Sequence, residues 1–300
     1  MLDYINYFYN LYPPLLNKEN DNYVFFVGNE KYYLTPYRRE LSEIKDLVEL
    51  NKRMISSNSL VHEIIINKFN EPISVISNEN YVLLRVYVND IKKIDINDII
   101  YMLNENVDLS GLKSLLRTNW VSLWSSKVDY IEYQMGHLIK KYPFLNNTID
   151  YYLGLCENAI TYIKNLKMFS DYKIPIGISH KRIIKDATLF DLYNPLNLII
   201  DYKVRNIAEY LKDAFFKDED VNYILNIVFK NFWFDKLNLS LLVARLLYPS
   251  YYFDLFEEII DKELDENIIF PLTKKSSKYE EFIDLIIKNC NLQNLQWLSR

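Results

Sequence analysis

Strand-type and helix-type patterns occupy different parts of this chain, and that separation constrains its fold more than any other feature. Runs rich in β-branched and aromatic residues, bounded by turn residues, are concentrated within residues 23–88. From residue 119 onward, apolar residues recur mainly at the three- and four-residue spacing of amphipathic helices. Strands followed by helices are typical of an α+β protein, because a parallel α/β fold would alternate them.

The first third predicts a small, mainly antiparallel sheet with one helix packed on it. A helix is predicted over residues 39–54, and Gly28, Asn29 and Glu30 form a typical hairpin turn between the first two strands. The candidate strands cover residues 23–27, 31–35, 60–66, 73–76 and 81–88.

Helical periodicity dominates the rest of the chain. One amphipathic helix is predicted over residues 119–141, with Trp120 and Trp124 as core anchors, and another begins at Asn147. An irregular segment follows at residues 173–201, with short apolar runs at 174–178 and 196–200, and helices resume near residue 205. We therefore expect two lobes: a β-rich N-terminal lobe, residues 1–88, and a helical C-terminal lobe, residues 89–300.

Charge and metal-ligand residues exclude some classes of function. The formal net charge is -5, with a pI near 5.4, whereas a general nucleic-acid binder needs a strong basic surplus. Cys156 and Cys290 lie too far apart to indicate a disulfide framework or a zinc motif. The histidines, His62, His137 and His180, are also widely separated, which favours structural roles over metal binding.

The N-terminal residues bear on cellular location, and the glycine content bears on phosphate-binding loops. The first residues are acidic and aromatic, unlike a signal peptide, and no apolar run approaches the ~20 residues of a membrane helix. We therefore expect a soluble cytoplasmic protein. Only 5 of the 300 residues are glycine, and no glycine-rich phosphate loop of either common type is present.

Short motifs follow one another in an order that carries a family resemblance. They are residues 33–36 (Tyr-Leu-Thr-Pro), Trp124 with residues 128–130 (Val-Asp-Tyr) and Glu132, residues 157–159 (Glu-Asn-Ala), and residues 198–202 (Leu-Ile-Ile-Asp-Tyr). In this order, over residues 20–290, the chain resembles the aminoglycoside and choline phosphotransferases, and most closely their spore-coat CotS-like branch. The resemblance implies a two-lobed protein-kinase-like fold, with a small antiparallel sheet lobe carrying one helix and a larger, mainly helical lobe.

The segment that matches this family's catalytic loop carries different residues. The family's loop reads His-Gly-Asp, with an Asn five residues after the Asp. Here His180, Lys181 and Arg182 occupy the matching positions, and Ala187 stands at the position of the Asn. An arginine cannot accept a proton at any relevant pH, although it can bind a phosphate. The resemblance therefore implies a degenerate loop without an intact catalytic residue.

The implied metal and nucleotide positions are also altered. Asp201 matches the family's metal-binding Asp, an oxygen ligand that suits Mg²⁺; a helix-capping role is the alternative. Thr35 stands at the position of the lysine that binds phosphate. Lys31 on the same strand face, or Arg38 and Arg39 after the strand, could be a substitute cation. Glu40 or Glu43 would be the ion-pair partner of such a lysine, or else a surface residue.

Several charged and aromatic residues admit two interpretations. Asp186 and Asp191 could replace the lost base if the loop is rearranged. A group of cations is either scattered surface charge or an anion-binding face at the former active site: Lys164, Lys167, Lys173, Lys181, Arg182 and Lys185. An aromatic cluster indicates core or groove lining: Phe229, Phe232, Trp233 and Phe234.

The altered residues favour a pseudokinase, a kinase-like protein that acts by binding or as a scaffold, with a link to the spore coat. One alternative is an active ATP-dependent small-molecule phosphotransferase with rearranged catalytic residues; another is a purely structural coat or assembly protein. ATP and Mg²⁺ follow from the resemblance alone, and the altered loop predicts weak binding of both. The expected partner is a protein or a small anionic ligand, in the cytoplasm or associated with the spore.

Overall fold

A computed structural model describes residues 1–57, 59–87, 91–138, 140–166, 175–183, 186–292 and 295. The chain folds into two compact units. The first contains residues 1–116 and 177–201, and the second contains residues 117–176 and 202–300. The return of residues 177–201 to the first unit brings the altered loop together with the N-terminal sheet. The lobe boundary expected after residue 88 stays a prediction.

An antiparallel sheet forms the centre of the first unit. Its strands pair in the order β1-β2-β3-β6-β4, and β5 also pairs with β6. Every one of these pairings is antiparallel, which confirms the predicted α+β class with an N-terminal antiparallel sheet. The strands are β1 Leu16–Glu19, β2 Asn22–Val27, β3 Glu30–Pro36, β4 Glu63–Ile65, β5 Ser74–Ile76 and β6 Glu79–Val86.

Helices make up most of the remaining structure. None of them, within the described part of the chain, is both long and apolar enough to cross a membrane. In chain order they are α1 Leu2–Tyr9, α2 Ile44–Ser56, α3 Ile96–Leu103, α4 Trp120–Leu138, α5 Pro143–Asn165, α6 Leu189–Tyr193, α7 Val204–Phe216, α8 Val221–Asn231, α9 Lys236–Leu247, α10 Ser250–Asp261, α11 Phe270–Thr273 and α12 Ser276–Asn289.

Turn residues fix the register of the sheet. Gly28, between β2 and β3, has a φ of 59°, which glycine adopts without steric cost and which agrees with the predicted hairpin. Between β5 and β6, Ser77 and Asn78 have φ values of 50° and 67°. Two consecutive positive φ angles define a type I′ turn, whose twist matches that of paired strands.

The sequence patterns missed several elements of the first unit, among them α1, β1 and α3. Helix α1 carries a fully buried Ile5, which packs in one core cluster with Phe25, Leu34 and Leu83. Strand β1 is a short, mostly exposed edge strand of sequence Leu-Asn-Lys-Glu. Because it shows no apolar alternation, periodicity could not detect it.

Helix α2 is fastened to β4 by a buried amide. The Nδ2 group of Asn51 donates to the backbone oxygen of His62 at 2.7 Å, and its Oδ1 accepts from the backbone N–H of Ile64 at 2.9 Å. A buried polar side chain needs such partners, and here they also satisfy two backbone groups. The helix is thereby held in a fixed position along the strand.

A second, two-stranded sheet carries the altered loop. Its strands are β7 Ile176–His180 and β8 Leu198–Tyr202, close to the apolar runs predicted at 174–178 and 196–200; residue 174 lies outside the described residues. All five residues of β8 are buried. The loop that begins at Lys181 therefore leaves from a rigid support.

The second unit is helical, as predicted. Helix α4 corresponds to the pattern at residues 119–141, and α5 begins at Pro143, a residue favoured in the first turn of a helix. Trp120 and Trp124 are each 2% exposed and stack with centroids 5.2 Å apart. Their predicted role as core anchors is confirmed.

A charged network lies inside this second unit. The Oε1 atom of Glu209 accepts from Arg245 Nε at 2.7 Å and from Lys212 Nζ at 2.8 Å. Its Oε2 atom accepts from the hydroxyl of Ser250 at 2.8 Å. The network joins α7, α9 and the start of α10, and it remains stable in the interior because the carboxylate is hydrogen-bonded on both oxygens.

Candidate functional site

A cleft of about 530 Å³ lies in the first unit. Segments that are distant in sequence line it: the β1–β2 turn, the end of β3, the residues after β7, and α6 with the turn that follows it. The charged side chains along its lining are Asp21, Arg38, Lys181, Arg182 and Asp191. Three cations thus face two carboxylates, although the whole chain is acidic.

An exposed ion pair borders the cleft. Asp21, in the β1–β2 turn, accepts from Arg38 Nη2 at 2.8 Å, and the two side chains are 62% and 73% exposed. Water screens such a pair, so it contributes between about 0 and 1 kcal/mol to stability. It joins the turn to the chain leaving β3.

The backbone on the near side of the altered loop is anchored. The N–H of Lys181 donates to the backbone oxygen of Asn197 at 2.9 Å, and the buried His180 contacts the oxygen of Leu192 through Nε2 at 2.8 Å. Arg182, half-buried, donates from Nη1 to the oxygen of Lys181 at 3.0 Å. His180 thereby links the end of β7 to α6.

The far side of the loop is anchored by a different segment. The N–H of Ile94 donates to the oxygen of Ala187 at 3.1 Å, and the N–H of Leu189 donates to the oxygen of Lys92 at 2.8 Å. Lys93 Nζ lies 2.7 Å from Asp186 Oδ1, and this hydrogen bond raises the pKa of Lys93. Both ends of the loop are therefore held, while Ile184 and Lys185 lie outside the described residues.

The two aspartates considered as substitute bases are occupied by local contacts. Asp191 Oδ2 accepts from the N–H and the hydroxyl of Thr188 at 2.8 and 3.0 Å, forming a capping box at the start of α6. Asp186 is paired with Lys93. A role for Asp186 or Asp191 as a substitute base stays a prediction.

The metal position implied by the resemblance involves Asp201 and residue 187. Asp201, the predicted metal ligand, is 0% exposed at the end of β8, and Ala187 offers only a methyl group where the family resemblance implies an amide oxygen. Among the described residues, no three histidine, cysteine, aspartate or glutamate side chains are grouped closely enough to hold a metal. Asp201 as a metal ligand stays a prediction.

The residues predicted to bind phosphate and to form an ion pair lie in different surroundings. Thr35 lines the cleft, whereas the Nζ of Lys31 lies 5.0 Å from the ring centroid of Tyr33. Glu43 is buried and paired with Arg39, whose Nε lies 2.6 Å from its Oε2, while Glu40 is exposed. From the sequence, Arg39 is a candidate cation and Glu43 a candidate partner, and their i,i+4 spacing was a usable signal for this specific pair.

Arg39 also reaches the segment that precedes β8. Its Nη1 donates to the backbone oxygens of Leu196 and Leu198 at 2.9 and 2.7 Å. Nearby, burial raises the pKa of Tyr37 to about 12, and its hydroxyl donates to the oxygen of Glu40 at 2.9 Å. The start of α2 is thereby tied to the same segment that anchors Lys181.

The aromatic cluster of the second unit lines a separate groove of about 540 Å³. Trp233 is 75% exposed, and Phe229 and Phe232 each pack close to Phe234. The prediction of groove lining is confirmed. Of the other predicted basic residues, Lys164 is exposed in α5, while Lys167, Lys173 and Lys185 lie outside the described residues.

Solved structures share this fold. The chain is similar to an aminoglycoside phosphotransferase from Alicyclobacillus acidocaldarius subsp. acidocaldarius DSM 446, with a TM-score of 0.69, 10% identity and 94% of each chain covered. An AMP-bound spectinomycin phosphotransferase gives a TM-score of 0.60 at 8% identity, with 91% of this chain and 92% of that chain covered. Amicoumacin kinase hAmiN gives 0.57 at 11% identity, with 96% and 92% covered. The predicted kinase-like phosphotransferase fold is confirmed.

Sequence comparison identifies the family. Residues 3–286 match the family described as "Spore coat putative kinase YutH". The endospore coat-associated protein YutH of Bacillus subtilis (strain 168) is 24% identical over 188 residues, which are 57% of this chain and 52% of that relative. The chain thus matches about half the length of this curated relative. Because the family match extends over nearly all of its 300 residues, this chain belongs to the spore-coat YutH family of kinase-like proteins.

Proposed function

We propose that this chain is a pseudokinase that acts as a binding or scaffold protein in association with the spore coat. The observation that carries the proposal is the cation at position 182. Arg182 lines the cleft of the first unit and follows the anchored His180 and Lys181. A guanidinium stays protonated, so this side chain cannot take a proton from an acceptor hydroxyl.

Phosphoryl transfer depends on positioning and on charge neutralisation by metal ions. Three residues of this chain argue against phosphoryl transfer. Ala187 has no metal-binding oxygen, Thr35 has no charge, and Arg182 has no basic lone pair at physiological pH. The engagement of Asp191 and Asp186 in local contacts supports the same view, because neither is poised to compensate.

Nucleotide binding and turnover test the proposal. The purified chain is mixed with ATP and Mg²⁺, and ADP formation is followed together with the melting temperature. A nucleotide at about one hundred times its dissociation constant would stabilise the protein by ~2.7 kcal/mol. We expect no ADP above the rate of a heat-inactivated sample. ADP formation that is lost in Asp201→Ala would establish an active phosphotransferase and overturn the proposal.

A restoration experiment tests whether the residues at positions 182 and 187 account for the expected inactivity. The double variant Arg182→Asp with Ala187→Asn returns both loop positions to the pattern of the active family. If the loss of these groups explains inactivity, the double variant should bind Mg²⁺-ATP more tightly than the native chain.

For the scaffold role, a fluorescently tagged chain should be recovered with purified spores of Bacillus subtilis, and Arg182→Gln should be recovered equally well if catalysis is not required.

A further inference from the structure

We propose that Glu105 forms a pH-sensitive switch in the first unit, at the point where the end of α3 contacts the connection between α2 and β4. The neutral carboxyl holds these two segments together, and its ionisation, with release of the proton to water, loosens the contact. The inference goes beyond the proposed function, because it requires no nucleotide, metal ion or partner.

The carboxyl of Glu105 is hydrogen-bonded on one side. Its Oε1 atom accepts from the hydroxyl of Ser59, in the α2–β4 connection, at 2.9 Å. Its Oε2 atom is buried and has no hydrogen-bond partner among the described residues. A buried oxygen without a donor costs free energy, and it costs most when it carries charge. The geometry therefore favours the neutral form of the group.

Burial makes this contact depend on pH. It raises the pKa of Glu105 above the ordinary value of 4.5, and the hydrogen bond from Ser59 offsets part of the effect. Since the folded chain then binds the proton more tightly than the unfolded chain, the carboxyl stabilises the fold fully below pH 4.5. That stabilisation is lost as the pH rises through the pKa of the folded state.

The titratable groups of the neighbouring helices act in the same direction. Burial raises the pKa of Tyr193, at the end of α6, and the charge of Glu105 raises it further. Asp98 and Tyr101, both on α3, act on Tyr193 in the same sense. Each of these side chains is neutral or negative, so none of them stabilises the ionised form of Glu105.

Cations on the adjoining segments are engaged with other acceptors. The Nζ of Lys92, before α3, lies 3.2 Å from Asp98 Oδ1. Arg53, on α2, donates to Glu49 Oε1 at 2.8 Å and to the backbone oxygen of Asp108 at 2.9 Å. Arg53 thus holds the later part of the loop that follows α3, whereas the switch holds the beginning of that loop.

The α2–β4 connection leads from the switch to the wall of the cleft. Three residues after Ser59, the backbone N–H of the buried His62 donates to the backbone oxygen of Tyr193 at 2.9 Å. Tyr193 ends α6, and Phe190 and Asp191 of the same helix line the cleft. A loosened connection therefore weakens the support of α6, and we expect the cleft wall to open more often when Glu105 is ionised.

Amide hydrogen exchange of the full chain, corrected for the intrinsic effect of pH, measures this opening. The reporters are the amides of Ser59, which donates to Met54 at 3.0 Å, and of His62. Between about pH 5 and about pH 8, we expect their protection to fall roughly tenfold, the change that one pKa unit produces. Glu105→Gln has nearly the same shape and cannot ionise, so its protection should be the same at both pH values.

A carbon-13 titration of the Glu105 carboxyl by nuclear magnetic resonance tests the switch without any substitution. Its midpoint should lie above 4.5 in the native chain. Ser59→Ala should move the midpoint to higher pH, because it removes the hydrogen bond that favours the ionised form. Glu71→Gln, which changes an exposed carboxyl of the same unit, should leave the midpoint and the exchange profile unchanged.

Three results would overturn the inference: a Glu105 midpoint at or below 4.5, native protection that does not change with pH, or a Glu105→Gln variant that loses protection as the native chain does. Melting curves verify that each variant is folded, and the native titration decides the matter if one is not. None of these measurements involves ADP formation, so the inference and the proposed function can fail separately.

Discussion

Arg39 and Glu43, four residues apart just before α2, form a buried ion pair, with Nε and Oε2 2.6 Å apart and the side chains 4% and 9% exposed. Arg39 also donates to the backbone oxygens of Leu196 and Leu198. One guanidinium therefore links the start of α2 to the segment that leads into β8. Protein kinases pair a strand lysine with a helix glutamate, whereas Glu43 pairs with an arginine that follows β3.

Removal of this arginine should destabilise the protein strongly. Arg39→Ala removes the arginine of this buried ion pair and the donor to two backbone oxygens, at a cost of about 3–5 kcal/mol. Urea unfolding, with the midpoint compared at constant slope, measures the change. The adjacent Arg38→Ala is the matched control, because its exposed pair contributes at most about 1 kcal/mol. Equal losses in the two variants would contradict the assigned role.

Disruption of the buried charged network around Glu209 in the second unit should also destabilise the protein strongly. Glu209→Ala leaves the buried cations Lys212 and Arg245 close together without their shared carboxylate, and we expect a loss of about 3–5 kcal/mol. Glu258→Ala is the control, since Glu258 forms an exposed i,i+4 pair with Lys262 that is worth a few tenths of a kcal/mol. A small effect of Glu209→Ala in urea unfolding would mean that the network contributes little to stability.

The two cysteines should differ in reactivity toward thiol reagents. Cys156 is buried, and burial raises its pKa to about 12, so the reactive thiolate is scarce in the folded protein. Cys290 is half-buried, and burial raises its pKa as well. At mildly alkaline pH, Ellman's reagent should label Cys290 slowly and Cys156 only after unfolding. Rapid labelling of a folded Cys290→Ser variant would show that Cys156 is accessible.

Alkaline pH should destabilise the fold through its buried tyrosines. Burial raises the pKa of Tyr9 and of Tyr152 from 10.0 to about 12. Because the folded state favours the neutral phenol, the stabilisation is complete below pH 10 and is lost as the pH rises toward 12. The ultraviolet absorbance of tyrosinate and the circular dichroism should therefore change together above pH 10. Tyr152→Phe should reduce the pH dependence; an unchanged slope would contradict its contribution.

Sequence reasoning succeeded where the information is local. Strands β3 and β6 follow from β-branched and aromatic runs, and helices α4 and α5 follow from helical spacing. Each of these patterns lies within a few consecutive residues. A residue type alone was enough to predict that Arg182 could not act as a base.

The rest depends on contacts between distant segments. The cleft combines a β1–β2 turn near residue 21 with a loop near residue 181, and no local pattern indicates that they meet. Arg39 could be paired with Glu43 from its spacing, but its bonds to Leu196 and Leu198 arise only from tertiary structure. Helix α1 was missed because its short aromatic sequence resembles the composition bias of the whole chain.

The turn between β1 and β2 has a final consequence for the rim of the cleft. It holds Asp21 next to Arg38, so the turn adds a neutral pair and no net charge there. Because both side chains are exposed, added salt screens their attraction. High ionic strength should therefore loosen the turn from the chain that leaves β3.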